Sequence, residues 1–279
     1  MNAILPLRPS VLVILFCCCL TASCSERPAE SANVTTIEVA DAFSGRSKSV
    51  SYEDAANHLQ RMQHTRNADF KANAHKLRWN GTVKYILAIQ NHPDSNFPNF
   101  IEKNLQRISA NTPVSFQKFE TLEEIAEQRS GISILFITNN DQITPYRDVI
   151  EIGRVESSAS IDELGCRMEQ RIAGGLSEQP DQNRNIIIQI DPDFPHPESL
   201  TAPHYALRRV KNDDMRNMFW QRRCSVWALL YSMGFAISSP DSPTKHSSAY
   251  SMNGAESTLT KYDLAALQLY YSPSRRESG

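Results

Sequence analysis

The stretch from Cys224 to Phe235 constrains this chain more than any other. It carries no charged side chain and runs through Val226, Trp227, Leu229, Leu230, Tyr231 and Met233 to a glycine, Gly234. Upstream, Met215 and Phe219 join Val226, Leu230 and Met233 at spacings of three, four and seven, the signature of one apolar helix face. Asp213 and Asp214 stand at the start, where acidic side chains offset the helix dipole. Gly234 stands where a left-handed end-cap is expected, because glycine takes positive φ at little steric cost. The sequence therefore predicts a long buried helix closed at Gly234, and the rest of the fold must pack around it.

The remaining segments supply strands and helices in mixed order. Ser51 to Ala74 reads as a helix, with Ser51 as cap and Asp54 beside it. Val83 to Ile89 alternates and is rich in strand formers. Pro98 opens a helix through Ile101, Leu105 and Ile108. Val114 to Phe119 alternates again, and Leu122 to Gln128 suits a short helix. Ser133 to Thr138 is nearly all apolar, as a central strand would be. The segment from Ile161 to Ile172, which carries Cys166, reads as helical, and Asn185 to Asp191 as a strand. A proline-rich loop through Pro192, Pro195, Pro197 and Pro203 leads into the long helix. Thr260 and Asp263 form a capping box for a last helix with Leu264, Leu267 and Tyr271 on one face. Mixed strands with two terminal helices define an α+β, mixed-sheet class.

At the N-terminus, residues 1–23 combine a modest positive start at Arg8 with an apolar run from Val11 to Leu20. That run is too short for an ordinary membrane span and fits a signal peptide. Thr21, Ala22, Ser23 and Cys24 resemble the lipobox of bacterial lipoproteins, apart from the threonine. The resemblance implies lipidation at Cys24 and a membrane partner through that lipid. Ser25 resembles the sorting preference for the outer membrane, which places the chain in the bacterial cell envelope facing the periplasm. Cys17, Cys18 and Cys19 are lost on cleavage. Residues 24–50 are polar and read as a flexible tether, with a short strand possible after Asn33. Residues 51–279 form the domain.

A formal charge of −2 without a basic block argues against a nucleic-acid partner. Cys166 and Cys224 remain after the lipid-bearing cysteine. In an oxidising envelope such a pair reads as a disulfide, worth at most about 4 kcal/mol; a reactive thiol is the other reading.

The spacing to Gly234 also invites comparison with the zinc-protease helix H-E-x-x-H-x-x-G. With Gly234 in the glycine slot, the histidine slots hold Trp227 and Tyr231 and the glutamate slot holds Ala228. Further phrases fit the same frame. Leu77, Arg78 and Trp79 before the first sheet strand resemble the opening of a matrixin-type domain. Met233 to Phe235, Ser238 to Ser242, Ser248 to Met252 and Leu259 to Tyr270 resemble the matrixin run of active helix, third-ligand loop, Met-turn and final helix. The chain is still more similar to a group of bacterial secreted proteins and lipoproteins with a metzincin-like domain of unknown function. Members of that group show acids and a later glutamine where this chain has Trp227, Ala228 and Tyr231. The resemblance implies a zincin-like fold of the metzincin type.

Catalytic zinc needs three protein ligands and a base for its bound water. Trp227 and Ala228 supply no coordinating atom, and Tyr231 would be an unusual ligand. The histidines are His58, His64, His75, His92, His196, His204 and His246, without an i, i+4 pair on a convincing buried helix. His58 and His64 fall on different helix faces and read as solvent-facing, and His196 and His204 lie in the proline-rich loop. No nucleophile elbow or P-loop is present. Glu123 and Glu124 read as helix-start acids. Arg208, Arg209, Arg222 and Arg223 read as solvated helix charge. The expectation is therefore no catalytic residue, no metal and no cofactor. The chain would be a lipid-anchored binding or assembly module, with Trp227 and Tyr231 either filling the former metal cleft or lining a groove for a protein or peptide. Asn185 to Ile190 would be the strand edge that receives it. The alternatives are a metal-dependent hydrolase relying on His196, His204 and His246, and a purely structural envelope lipoprotein.

Overall fold

A computed structural model describes residues 36–41, 45–63, 78–90, 92–121, 123–124, 133–138, 140–146, 154–161, 166–172, 184–190, 213–235 and 258–272. Two short strands, β1 (Thr36–Asp41) and β2 (Arg46–Ser51), precede helix α1 (Tyr52–Met62). Strand β3 (Thr82–Ala88), helix α2 (Phe97–Ser109), strand β4 (Ser115–Lys118) and strand β5 (Ile134–Ile137) follow. A 3₁₀ segment (Asn140–Tyr146) comes before β6 (Arg154–Ile161), β7 (Cys166–Ile172) and β8 (Arg184–Ile190). Helices α3 (Asp213–Ser232) and α4 (Lys261–Tyr271) complete the described elements.

The main sheet has the order β4-β3-β5-β8-β7-β6. Its β4, β3, β5 and β8 are parallel, whereas β7 and β6 run antiparallel to their neighbours. The class is thus α+β with a mixed sheet. The position of β5 follows from its composition. Ile134, Leu135, Phe136 and Ile137 are all buried, so both faces of the strand must be covered, and it sits between β3 and β8. Alternation divides the sheet into two cores. Tyr85, Ile134, Phe136, Ile186 and Ile188 point into the large one, to which all four described α-helices contribute. Ile86, Ala88, Leu135, Ile137 and Ile187 point the other way, against Phe119 and Tyr146.

Local signals set the helix ends. The Ser51 hydroxyl accepts from the Asp54 N–H at 3.1 Å, capping α1. Pro98 lies in the first turn of α2, where its missing N–H costs nothing. At α4 the capping box is complete: the Thr260 hydroxyl accepts from the Asp263 N–H at 3.2 Å, and Asp263 accepts from the Thr260 N–H at 2.8 Å.

Two expectations change here. The short strand expected after Asn33 is present as β1, but the rest of the segment read as tether up to residue 50 is largely structured too, as the β1–β2 hairpin, and Val39 and Val50 reach the main core. Asn111 clamps the outer side of β1: its amide oxygen accepts from Ala40 N–H and its amide nitrogen donates to Ala40 O, both at 2.9 Å. The segment read as a helix through Cys166 is an antiparallel hairpin, β6 with β7. Residues 1–23 and Cys24 lie outside the described residues, as does the part of the expected first helix beyond Gln63. Among the described residues, no helix is long and apolar enough to cross a membrane.

Candidate functional site

Helix α3 ends as its sequence requires. Gly234 has φ of 102°, a region that side chains rarely enter. Its N–H donates to Tyr231 O at 2.9 Å, and the Phe235 N–H reaches back to Leu230 O at 3.2 Å. This is a Schellman closure, which satisfies two carbonyls of the last turn. Two distant side chains take the next carbonyls. The Trp79 indole N–H donates to Ser232 O at 2.8 Å, and the Tyr271 hydroxyl donates to Met233 O at 3.0 Å. Tyr271 in turn accepts from the Trp79 backbone N–H at 3.2 Å. Arg78 lies 4.5 Å from the centre of the Tyr270 ring, and Phe235 packs against the same ring at 5.1 Å. The Arg78–Trp79 phrase and the final helix thus meet at the end of α3.

One turn earlier the chemistry differs. Trp227, Ala228 and Tyr231 are all buried, Trp227 with only 2 % of its surface exposed. The Trp227 and Tyr231 ring centres lie 6.0 Å apart in a tilted arrangement, and both rings belong to the main core. Among the described residues, Trp227 Nε1 has no hydrogen-bond partner. Of the two readings for these aromatics, the packing is that of core. Among the described residues, no three His, Cys, Asp or Glu side chains are grouped to hold a metal ion.

The described histidines are both tied into the structure. His58 is buried rather than solvent-facing, and its Nε2 donates to Asp263 Oδ1 at 3.0 Å, joining α1 to α4. Asp263 is itself fully buried and uses its other oxygen on Thr260, so the capping box also anchors the histidine. His92, in the turn between β3 and α2, stacks on Phe97 with ring centres 4.0 Å apart. Burial holds its pKa below the usual imidazole value. His64, His75, His196, His204 and His246 lie outside the described residues.

The two arginines at mid-helix are not solvated charge. Arg222 donates from Nε to Asp94 Oδ2 at 2.9 Å and lies over the Phe100 ring. Arg223 is buried, its guanidinium 5.2 Å from the Trp220 ring centre, and burial pushes its pKa down to about 10. Cys224 is fully buried beside them. The backbone of Cys166 opens β7, while its side chain lies outside the described residues.

The expected peptide-receiving edge is also corrected. Strand β8 pairs with β5 on one side and β7 on the other, so Asn185 to Ile190 has no free edge. Among the described residues, the terminal strands of the sheet are β4 and β6. Sequence reasoning missed the His58–Asp263 and Arg222–Asp94 pairs. A signal for the first was present: His58 shares a helix face with Ala55 and Met62, which are both buried. The second joins residues far apart in sequence and left no local trace.

Comparison with protein-family models, with curated proteins and with solved structures finds no match.

Proposed function

We propose that the chain is a lipid-anchored envelope protein whose zincin-like domain serves as a non-catalytic binding or assembly module. One observation carries this reading. The positions that would hold the metal ligands and the general base on α3 are occupied by the buried side chains of Trp227, Ala228 and Tyr231, on a helix that keeps its Gly234 closure. Indole and methyl groups offer zinc no lone pair, and a catalytic site needs three protein ligands together. Because both rings are core, a partner would bind elsewhere than between them.

The strand available on that side of the sheet is β6. Its neighbour β7 uses one row of its backbone groups, and among the described residues no further strand follows in the sheet order. An extended peptide would add to β6 through main-chain hydrogen bonds. In an antiparallel strand, adjacent residues direct their N–H groups to opposite sides. One of Ser158→Pro and Ala159→Pro therefore removes an outward donor while sparing the pairing with β7. In affinity capture from envelope extracts, that variant should keep its melting temperature and lose a saturable partner seen with the native chain. Equal capture by both variants would sink the β6 assignment, and no saturable partner would favour a structural spacer. The Cys24 anchor is tested by mass spectrometry of the mature N-terminus, where an unlipidated Cys24 would overturn it.

Cys166 and Cys224 fit this reading as a disulfide between β7 and α3. Alkylation before and after reduction should give a mass difference for two cysteines in the mature domain; full labelling without reductant would exclude the bond.

A further inference from the structure

The turn between β3 and α2 holds a histidine nitrogen between a donor and an acceptor of the same residue. His92 Nδ1 lies 3.1 Å from the Asp94 N–H and 3.3 Å from the Asp94 carbonyl oxygen. An unprotonated Nδ1 accepts from the N–H; a protonated one can only donate, and the carbonyl is within reach. That carbonyl already accepts from the Phe97 N–H at 2.9 Å, the first contact of α2 with its turn. The Asp94 carboxyl group is buried and divided between two elements: Oδ1 accepts from the Asn96 N–H at 3.0 Å, and Oδ2 accepts from Arg222 of α3. The charged groups facing the ring are Asp94 from its own turn and Arg222 from α3, with the neutral Gln221 of α3 alongside and Phe97 of α2 stacked beneath.

We propose that this turn is a proton-operated switch in which protonation of His92 Nδ1 exchanges an accepted bond from Asp94 N–H for a donated bond to Asp94 O. The exchange leaves the Asp94 N–H without its acceptor and adds a cation beside a carboxylate already shared with Arg222. The tie between the turn and α3 weakens as a result. The sign follows from burial, which favours the neutral ring in the folded chain. Stability is undiminished above the ordinary imidazole value of about 6.5 and falls as pH drops through it, because the unfolded chain takes up the proton first.

The test is nitrogen NMR of the full mature chain, titrated from about pH 8 to about pH 5 across the histidine range. At high pH the His92 ring should carry its proton on Nε2, with Nδ1 unprotonated. On acidification Nδ1 should protonate with a midpoint below about 6.5, and the Asp94 amide resonance should move with the same midpoint. In His92→Phe the Asp94 amide should lose that step. A ring already protonated on Nδ1 at high pH, or an Asp94 amide that stays flat through the His92 midpoint, would overturn the proposal. Both are read in the native chain, so the test stands even where His92→Phe does not fold. An Asp94 step that persists in a folded His92→Phe would also overturn it.

Discussion

Two adjacent stretches of α3 solve different problems. The last turn, from Leu230 to Phe235, is a polar assembly. Its carbonyls are taken by Gly234 and Phe235 N–H groups, the Trp79 indole and the Tyr271 hydroxyl. One turn earlier, the side chains of Trp227, Ala228 and Tyr231 are buried in the main core, with the Trp227 and Tyr231 ring centres 6.0 Å apart. The side chains that fix the helix end, Trp79 and Tyr271, are distinct from those of Trp227, Ala228 and Tyr231. A helix end built this way keeps its closure when those three positions change, provided the replacements fill the same volume.

Substitutions separate the two regions. The largest effect belongs to the apolar turn: Trp227→Ala should cost about 4 kcal/mol in chemical denaturation, since a deleted core ring leaves a cavity. A loss below about 1 kcal/mol would mean the ring lines an open groove instead. Next comes the joint that carries Tyr271 into place. Asp263→Ala strips a buried acceptor from His58 and Thr260 and should cost about 3 kcal/mol. Gly234→Ala should cost roughly 1–2 kcal/mol, because φ of 102° places a Cβ against its own backbone. The smallest single contribution is the hydrogen bond to Ser232 O that Trp79→Phe removes, about 1 kcal/mol once the lost ring area is subtracted. If that last change exceeded Trp227→Ala, the contrast between the two turns would be reversed.

The helices and central strands were legible for physical reasons. The four apolar residues of β5 leave no solvated face, and the Thr260–Asp263 box names the start of α4. Gly234 announced the end of α3. The β6–β7 hairpin was not legible, because Ile161, Leu164, Met168 and Ile172 repeat at helical spacing and mask the true alternation of β7. Lateral order was hidden as well: the apolar run of β8 shows a buried strand but not that β7 covers its second edge. In the site, the identities at Trp227, Ala228 and Tyr231 and the burial of their helix were read from the chain, while the choice between core and groove for the two rings was left open. Arg222 looked like surface charge because its partner, Asp94, comes from another part of the sequence.

The most direct measurement is elemental analysis of the purified mature chain after exposure to zinc and removal of free ion. The account predicts far less than one ion per chain, with no peptide cleavage that a chelator abolishes. One tightly held zinc per chain, lost when His246 is replaced, would show that ligands have been relocated and would contradict it.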